Sequence, residues 1–369
     1  MKLRSPYKLN QPRSLRTIET DRPEIRSSDR RRVVSAILAR RSSWKTRRST
    51  INPADSLTIM SKQSIFTPRS WLAFELNVLR RLEFRSVAIP FTPSPTLGSY
   101  LKRGGTRVLA NDALQSAWTR ALAVIQNNGE QLSDEHLMTV LEDVYVPSHK
   151  LRNPALRNWF SETDSWWFDN VRTNLEKLHS PFAFAVAASL VMAVGDYILS
   201  FTEDTGELRQ PLSTVYRRLW SVLPETVNNG QNNGCQNKGA EEFIAESRVD
   251  LMFLRLPVAG SGGRTATHDK AVWREEWLRG SDDFWPAFES ARHGKLGGPV
   301  ETKSQYLKVL SEALTTASHI KTWAIAHVEG GLVSTQEIVN VIAGLRRVDT
   351  IYTKDFSELT GTRAVVITA

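Results

Sequence analysis

The sequence has only one cysteine, Cys235, in 369 residues. A single cysteine excludes an internal disulfide and a zinc cluster built from cysteines, and it is typical of a reducing compartment. His268 has no partner at metal-ligand spacing, so no metal is predicted. We therefore expect a cytoplasmic protein whose stability depends on its core.

Long hydrophobic runs are also scarce. The most apolar stretch, Phe182 to Ala193, continues into Asp196, so it is too short and too charged to be a clean membrane span. No apolar signal sequence is present near the beginning of the chain. The stretch predicts a buried core helix, and we expect no membrane association.

Acidic residues are rare in the first part of the chain. Residues 1–60 contain 15 Lys and Arg but 5 Asp and Glu, whereas residues 61–369 contain 33 and 34. This basic leader lacks apolar periodicity, so it is predicted to be disordered alone. Its composition fits an arm that contacts DNA phosphates and equally an organelle transit peptide. A third interpretation is a misassigned start, with translation beginning at Met60.

A strand, helix, strand unit follows between residues 86 and 128. Val87-Ala88-Ile89 and Arg107-Val108-Leu109-Ala110 predict two buried strands, with a helix-forming segment between them. Asn111-Asp112 is expected to cap the next helix, which extends towards Ile125. An acid at the end of the second strand is the group that binds a ribose in Rossmann-like folds. Asp112 is therefore a candidate nucleoside ligand.

The motifs of this unit have a recognisable order: Ile89-Pro90-Phe91-Thr92-Pro93-Ser94-Pro95, then Ala110-Asn111-Asp112, then Asn127-Asn128. In this register the chain resembles the D12 class (Dam-like) of adenine-specific N6 DNA methyltransferases, which carry Asp-Pro-Phe-Ala-Gly-x-Gly, Ala-Asn-Asp and Asn-Asn. The resemblance implies an α/β, Rossmann-like, S-adenosylmethionine-dependent methyltransferase fold with a helical insertion. It also implies S-adenosylmethionine as cofactor, bound by Pro90, Phe91 and Asp112. However, Pro93 and Pro95 replace the glycines, which removes two backbone N–H donors.

The family's catalytic motif is altered as well. The family places Asp-Pro-Pro-Tyr directly after the strand that here spans Val249 to Leu254, and the corresponding residues are Arg255, Leu256, Pro257 and Val258. In the family, the acid and the prolyl carbonyl accept hydrogen bonds from the adenine amino group, and the tyrosine stacks on the flipped base. An arginine only donates, and valine has no ring. We interpret Asp250 as structural and Asp269 as a helix cap, so no intact catalytic acid is predicted.

The resemblance divides the chain into three parts. Residues 61–129 and 236–369 form the methyltransferase-like core, residues 130–235 form a helical, target-recognition-like insertion, and Asn228 to Gly234 is a flexible polar linker that closes it. The insertion would face double-stranded DNA, and its candidate contacts are Lys150, Arg152, Arg157 and Arg172, with Trp159 and Trp166 as stacking surfaces. The alternative is that the tryptophans are core residues and the charges a solvated face.

Three functional hypotheses follow. The first is a catalytically degenerate DNA methyltransferase homologue that binds DNA or a partner protein. The second is an active adenine-N6 methyltransferase of a restriction-modification or phage-defence system, which uses Asp112 for the ribose and a relocated acid for the base. The third is a structural subunit that docks on an active methylase or restriction partner.

Overall fold

The structure, a computed structural model, describes residues 69–143, 150–202, 204–257, 269–329 and 331–369. The predictions for the basic leader, for Val258 and His268 and for the side chain of Asp269 lie outside the described residues. The described residues form an α/β fold, as predicted.

A mixed sheet of seven strands lies at the centre. The strands are β1 (Ser86–Ile89), β2 (Arg107–Asn111), β3 (Gly234–Gln236), β4 (Leu251–Arg255), β5 (Thr322–Glu329), β6 (Thr350–Phe356) and β7 (Thr362–Thr368). Their order is β3-β2-β1-β4-β5-β7-β6. The first five pair in parallel, and β7 is antiparallel to both of its neighbours. The order of the parallel strands is compatible with a Rossmann-like fold.

Helices flank the sheet and connect its strands along the chain. They are α1 (Arg69–Leu79), α2 (Thr96–Arg103), α3 (Gln115–Ala121, continued as a π-helix over Leu122–Gln126), α4 (Asp134–Val140), α5 (Glu162–Leu175), α6 (Pro181–Ile198), α7 (Leu212–Ser221), α8 (Ala240–Glu246), α9 (Asp269–Arg279), α10 (Trp285–Arg292), α11 (Lys303–Thr316), α12 (Thr335–Ala343) and α13 (Ser357–Thr360). Short 3₁₀ turns cover Pro154–Asn158, Gly206–Leu208 and Ala317–His319.

The sheet is covered on both faces, which explains its apolar strands. All four apolar residues of β4, Leu251 to Leu254, are fully buried. Alternate residues of this strand belong to two different clusters, one containing Val87 and Phe253 and the other containing Leu254 and Trp323. Continuous apolar runs of this kind are typical of parallel strands with helices on both sides.

Helices α4 to α7 share a third cluster with α9. The predicted face of α5 is buried there through Phe168, Val171 and Leu175. Trp273 of α9 packs so closely on α6 that a Cβ at Gly195 would lie 2.3 Å from its ring. A glycine is therefore required where these two helices meet.

Helix α6 contains the most apolar stretch of the sequence. Among the described residues it is the single helix with the length and composition of a membrane span, and more than half of it is buried inside the protein. The predicted core helix is confirmed. Asp196, near its end, forms an ion pair with Arg274 of α9.

The segment from Asn228 to Gly234 is not a flexible linker, and that prediction is wrong. The Asn229 amide donates to the carbonyls of Lys102 (3.0 Å) and Thr106 (2.9 Å), and the Asn233 side chain accepts the Val108 N–H at 2.9 Å. These bonds attach the segment to the edge of β2, where Gly234 begins β3. Asparagine side chains fix this turn because they replace backbone partners.

Candidate functional site

The carboxyl ends of β1, β2 and β4 lie side by side, because these strands are parallel neighbours in the sheet. Ligands of open α/β sheets bind outside such strand ends. We call this region the strand-end site and define it by Pro90 to Thr92, by Asn111 and Asp112, and by Arg255 to Pro257. It contains all the predicted cofactor residues, and also the predicted catalytic positions except Val258.

Asp112 is held by the protein's own backbone. One carboxylate oxygen accepts the Thr92 N–H at 3.0 Å, and the other accepts the Leu114 N–H at 2.9 Å. The residue is only 7% exposed. Burial raises the pKa of the Asp112 carboxyl to about 6, against the lowering effects of the two amides and Arg292. The N-cap of α3 is Leu114 rather than Asn111 or Asp112, so that detail of the prediction is wrong.

Neighbouring hydrogen bonds fix the loop after β1. The Asn111 amide donates to the carbonyls of Pro90 and Lys238, both at 3.1 Å, and its oxygen accepts the Lys238 N–H. The Thr92 hydroxyl donates to the Ile89 carbonyl at 3.2 Å. The Pro90 carbonyl and the Thr92 hydroxyl therefore both have hydrogen-bond partners within the protein.

A turn after α10 lies against Phe91. A Cβ at Gly297 would be 2.7 Å from the Phe91 ring, and φ at Gly297 is +81°. A Cβ at Gly298 would be 1.8 Å from the Arg292 carbonyl oxygen, and the Arg292 guanidinium donates to the Gly297 carbonyl. Two adjacent glycines allow this close packing. The pair was visible in the sequence, but its partner Phe91 lies some 200 residues earlier.

Arg255, at the end of β4, forms a two-point ion pair with Glu75 of α1. Its Nε and Nη2 donate to the two carboxylate oxygens at 3.1 and 2.6 Å. The Glu75 side chain is 1% exposed and that of Arg255 is 16% exposed. Sequence reasoning did not identify Glu75, although a single acid on an apolar helix face was the available signal. The acid compensates the charge of this largely buried arginine.

The next two residues of the motif, Leu256 and Pro257, also contact other parts of the protein. Leu256 is buried, and the Pro257 carbonyl accepts the Tyr306 hydroxyl at 2.8 Å. Burial raises the pKa of the Tyr306 hydroxyl, so it remains a donor. The Pro257 carbonyl is therefore bonded to a side chain of α11.

The alternative acid Asp250 has the structural role that we predicted. It precedes β4, at the opposite end of that strand from Arg255, and accepts the N–H groups of Arg85 and Ser86 at 2.9 and 3.0 Å. These bonds lower the pKa of its carboxyl. A second acid, Glu275, was not foreseen. It is fully buried and accepts the N–H groups of Gln115 and Ser116, both at 2.8 Å, at the beginning of α3.

The predicted DNA contacts of the insertion differ in their surroundings. Lys150 and Arg152 are exposed, and Arg157 is exposed beside Glu162 at 2.9 Å. Arg172 is committed to the protein, since it donates to the Leu278 carbonyl at 3.1 Å and to Glu176 at 3.0 Å. Arg152 and Arg172 line one cavity of about 140 Å³.

The predicted stacking tryptophans are partly buried. The Trp159 indole N–H donates to the buried carboxylate of Glu276 at 2.7 Å, and Trp166 is half-buried. The arrangement of Trp159 favours the core interpretation for that residue, because buried indole N–H groups require an acceptor.

The sequence matches no protein-family model, and it shows no significant similarity to a curated protein.

Proposed function

We propose that this protein is a methyltransferase-fold homologue of the D12-class adenine-specific DNA methyltransferases that has lost methyl transfer and acts as a binding protein, with double-stranded DNA as its ligand. The observation that carries the proposal is the ion pair between Arg255 and Glu75 at the end of β4. A binding protein needs the fold and its insertion but not the catalytic acid.

The strand order supports the fold part of the proposal. S-adenosylmethionine-dependent methyltransferases share a parallel Rossmann-like sheet with a reversed last strand placed between the fifth and sixth, and the order β3-β2-β1-β4-β5-β7-β6 has this form. A fold hosts many activities, so the activity has to be argued from the site.

The chemistry of the site supports loss of catalysis. Transfer to the adenine amino group requires an acceptor for its hydrogens, and a guanidinium only donates. The Pro257 carbonyl already accepts a hydroxyl hydrogen. The nearby carboxylate of Glu75 is bound at both oxygens by Arg255. The acceptors described at this position are therefore already bonded to donors of the protein itself.

The described residues also do not fit S-adenosylmethionine. A ribose would have to bond to Asp112, whose two oxygens hold backbone amides. Phe91, in the loop that would face the cofactor, packs against the Gly297 turn. Pro93 and Pro95 supply no N–H groups. We therefore assign no step of a reaction to this cofactor.

The proposal is tested by two measurements on the full chain. Incubation with S-adenosylmethionine and unmethylated DNA of mixed sequence should give no N6-methyladenine above a no-protein control, as measured by mass spectrometry. Formation of N6-methyladenine would refute the loss of catalysis.

Fluorescence anisotropy with duplex DNA should detect binding that weakens with salt, because phosphate contacts release counterions. The Lys150→Gln/Arg152→Gln variant should lower the salt slope by about one for each phosphate that the protein no longer neutralises. Arg347→Gln, an exposed change on another part of the chain, is the matched control. If the unmodified protein did not bind DNA, double-stranded DNA would be ruled out as its ligand. A protein partner would then be the remaining alternative, and copurification from the source cells would identify it.

One observation favours the active enzyme as a second candidate. The Glu75 carboxylate lies beside Arg255 at the end of β4, so an acid is present near the family's catalytic position, and this candidate requires that Arg255 release it when a base binds. If this candidate is right, Asp112→Ala should abolish both S-adenosylmethionine binding and turnover.

A further inference from the structure

A cavity of about 650 Å³ lies between α2, α3 and the helical insertion. Pro95 and Ser99 line it from α2 and the turn before it, Val124 lines it from the π-helical turn, and Leu190 and Trp220 line it from the insertion. We call it the insertion cavity. Its volume is in the range of small-molecule sites, which are mostly apolar with a few polar groups. None of the residues that define the strand-end site lines it.

Arg120 is the notable polar group in this cavity. It is half-buried, and its single hydrogen bond within the described ranges is a long one, from Nη1 to the Pro93 carbonyl at 3.4 Å. Burial lowers the pKa of its guanidinium to about 10, and the like charge of Arg274 adds to the effect. Withdrawing a guanidinium partly from water with so few partners is costly unless an anion compensates it.

The charges around Arg120 do not balance. Asp196 is the carboxylate that acts on it, yet both oxygens of Asp196 accept hydrogen bonds from Arg274, with Nε to Oδ1 at 3.1 Å. Two guanidinium groups therefore share one carboxylate. Arg120 is therefore left with a share of one carboxylate and one long hydrogen bond.

Other polar groups of the cavity have protein partners. The Glu130 carboxylate accepts the Ser180 hydroxyl at 2.6 Å, and the Trp220 indole N–H donates to the Leu132 carbonyl at 3.1 Å. Arg103 and Glu225 are exposed at the rim. Apolar side chains are left partly open to solvent, with Val124 40% and Leu223 38% exposed. The cavity thus combines apolar walls with a guanidinium that, within the described ranges, forms no hydrogen bond to a carboxylate.

We infer that the insertion cavity binds an amphipathic small molecule with an apolar body and a single anionic group, and that the anion pairs with Arg120. Residues Pro95, Ser99 and Arg103 line the cavity along the whole of α2. Eight helical residues extend about 12 Å, so the body is an extended chain of about that length. A medium-chain carboxylate has this shape and charge.

Calorimetric titration of the full chain with decanoate tests the inference, with decyltrimethylammonium as a probe of the same chain and opposite charge. Decanoate should bind one to one, and the cationic probe should bind at least tenfold more weakly. Equal affinity for the two probes, or no binding of decanoate, would overturn the inference.

Two variants and a control sharpen this experiment. Arg120→Met should weaken decanoate binding at least tenfold, whereas Arg218→Gln, an exposed change on α7, should leave it unchanged. Ser189→Phe places a ring in the cavity and should abolish binding of both probes. Thermal denaturation checks that each variant is folded. Unchanged decanoate affinity in either Arg120→Met or Ser189→Phe would contradict the assignment. None of these readouts depends on methylation or DNA, so they are independent of the proposed function.

Discussion

The strand-end site and the insertion cavity are neighbours along the chain, since Pro90 to Thr92 belong to the first and Pro95 lines the second. The charged side chains of the two regions differ in their partners. At the strand-end site, Arg255 is paired with Glu75 and Asp112 accepts two backbone amides. In the cavity, Arg120 has one long hydrogen bond and a shared carboxylate. The comparison indicates that the first region now holds the fold together, whereas the second retains a charge without a structural use.

The largest effect is expected from breaking the strand-end pair. Glu75→Leu leaves the Arg255 guanidinium largely buried without its acid, which should lower the free energy of unfolding by about 3 kcal/mol. Urea denaturation measures this change. The double variant Glu75→Leu/Arg255→Met should recover most of the loss, because the pair then becomes apolar.

The control is an exposed pair of the same type. Glu312→Leu removes the partner of Lys308, which lies 3.9 Å away on the surface of α11, and it should cost less than about 1 kcal/mol. Similar losses in Glu75→Leu and Glu312→Leu would contradict the structural role of the strand-end pair.

The second effect concerns Asp112 and depends on pH. Its pKa is raised from 3.8 to about 6 in the folded protein, so the folded state binds this proton more tightly than the unfolded state. The contribution of this proton to the free energy of unfolding is fully present below about pH 4 and is lost as the pH rises through about 6. The whole contribution is about 3 kcal/mol. Unfolding measured from pH 4 to 7.5 should show the protein losing stability relative to Asp112→Asn. If the difference in unfolding free energy between the unmodified protein and Asp112→Asn did not vary with pH, the raised pKa of Asp112 would be refuted.

The third effect tests the packing of α6, the helix that contributes Val186, Ser189 and Leu190 to the insertion cavity. Gly195→Ala places a methyl group against the Trp273 ring where α6 meets α9, and such overpacking should cost about 1 to 3 kcal/mol. Gly206→Ala is the control, because a Cβ there has no neighbour within 4 Å. Equal thermal stability of the two variants would show that α6 can move away from α9 at no cost.

The smallest effect on stability is expected at Arg120. Arg120→Met removes the guanidinium charge and keeps most of the side-chain volume, so the free energy of unfolding should change by less than about 1 kcal/mol. Denaturation alongside Glu75→Leu makes the comparison direct. A loss as large as that of Glu75→Leu would mean that Arg120 is structural and that the two regions do not differ.

Much of the fold could be predicted from local patterns. Val87 to Ile89 and Leu251 to Leu254 are continuous apolar runs, which parallel strands buried on both faces require. The buried face of α5 followed from its helical periodicity. In contrast, β3 has only three residues in an asparagine-rich stretch, so neither its length nor its composition indicated a strand.

The contents of the site could not be predicted in the same way. Glu75 and Arg255 are 180 residues apart, and Glu275 lies 160 residues from the amide of Gln115. Periodicity reports which face of an element is buried but not which element covers it. The insertion cavity likewise exists only because distant helices meet.

The pairing of β1 with β4 has a kinetic consequence. The Ser86 amide reaches Asp250 across 164 residues, and the whole insertion lies between them. Such a contact closes a long loop, whose entropy must be lost before the strands stabilise each other. We therefore expect the insertion helices to form early and the centre of the sheet to assemble late. During that interval the apolar edges of β1 and β4 are exposed, and the protein is most vulnerable to aggregation.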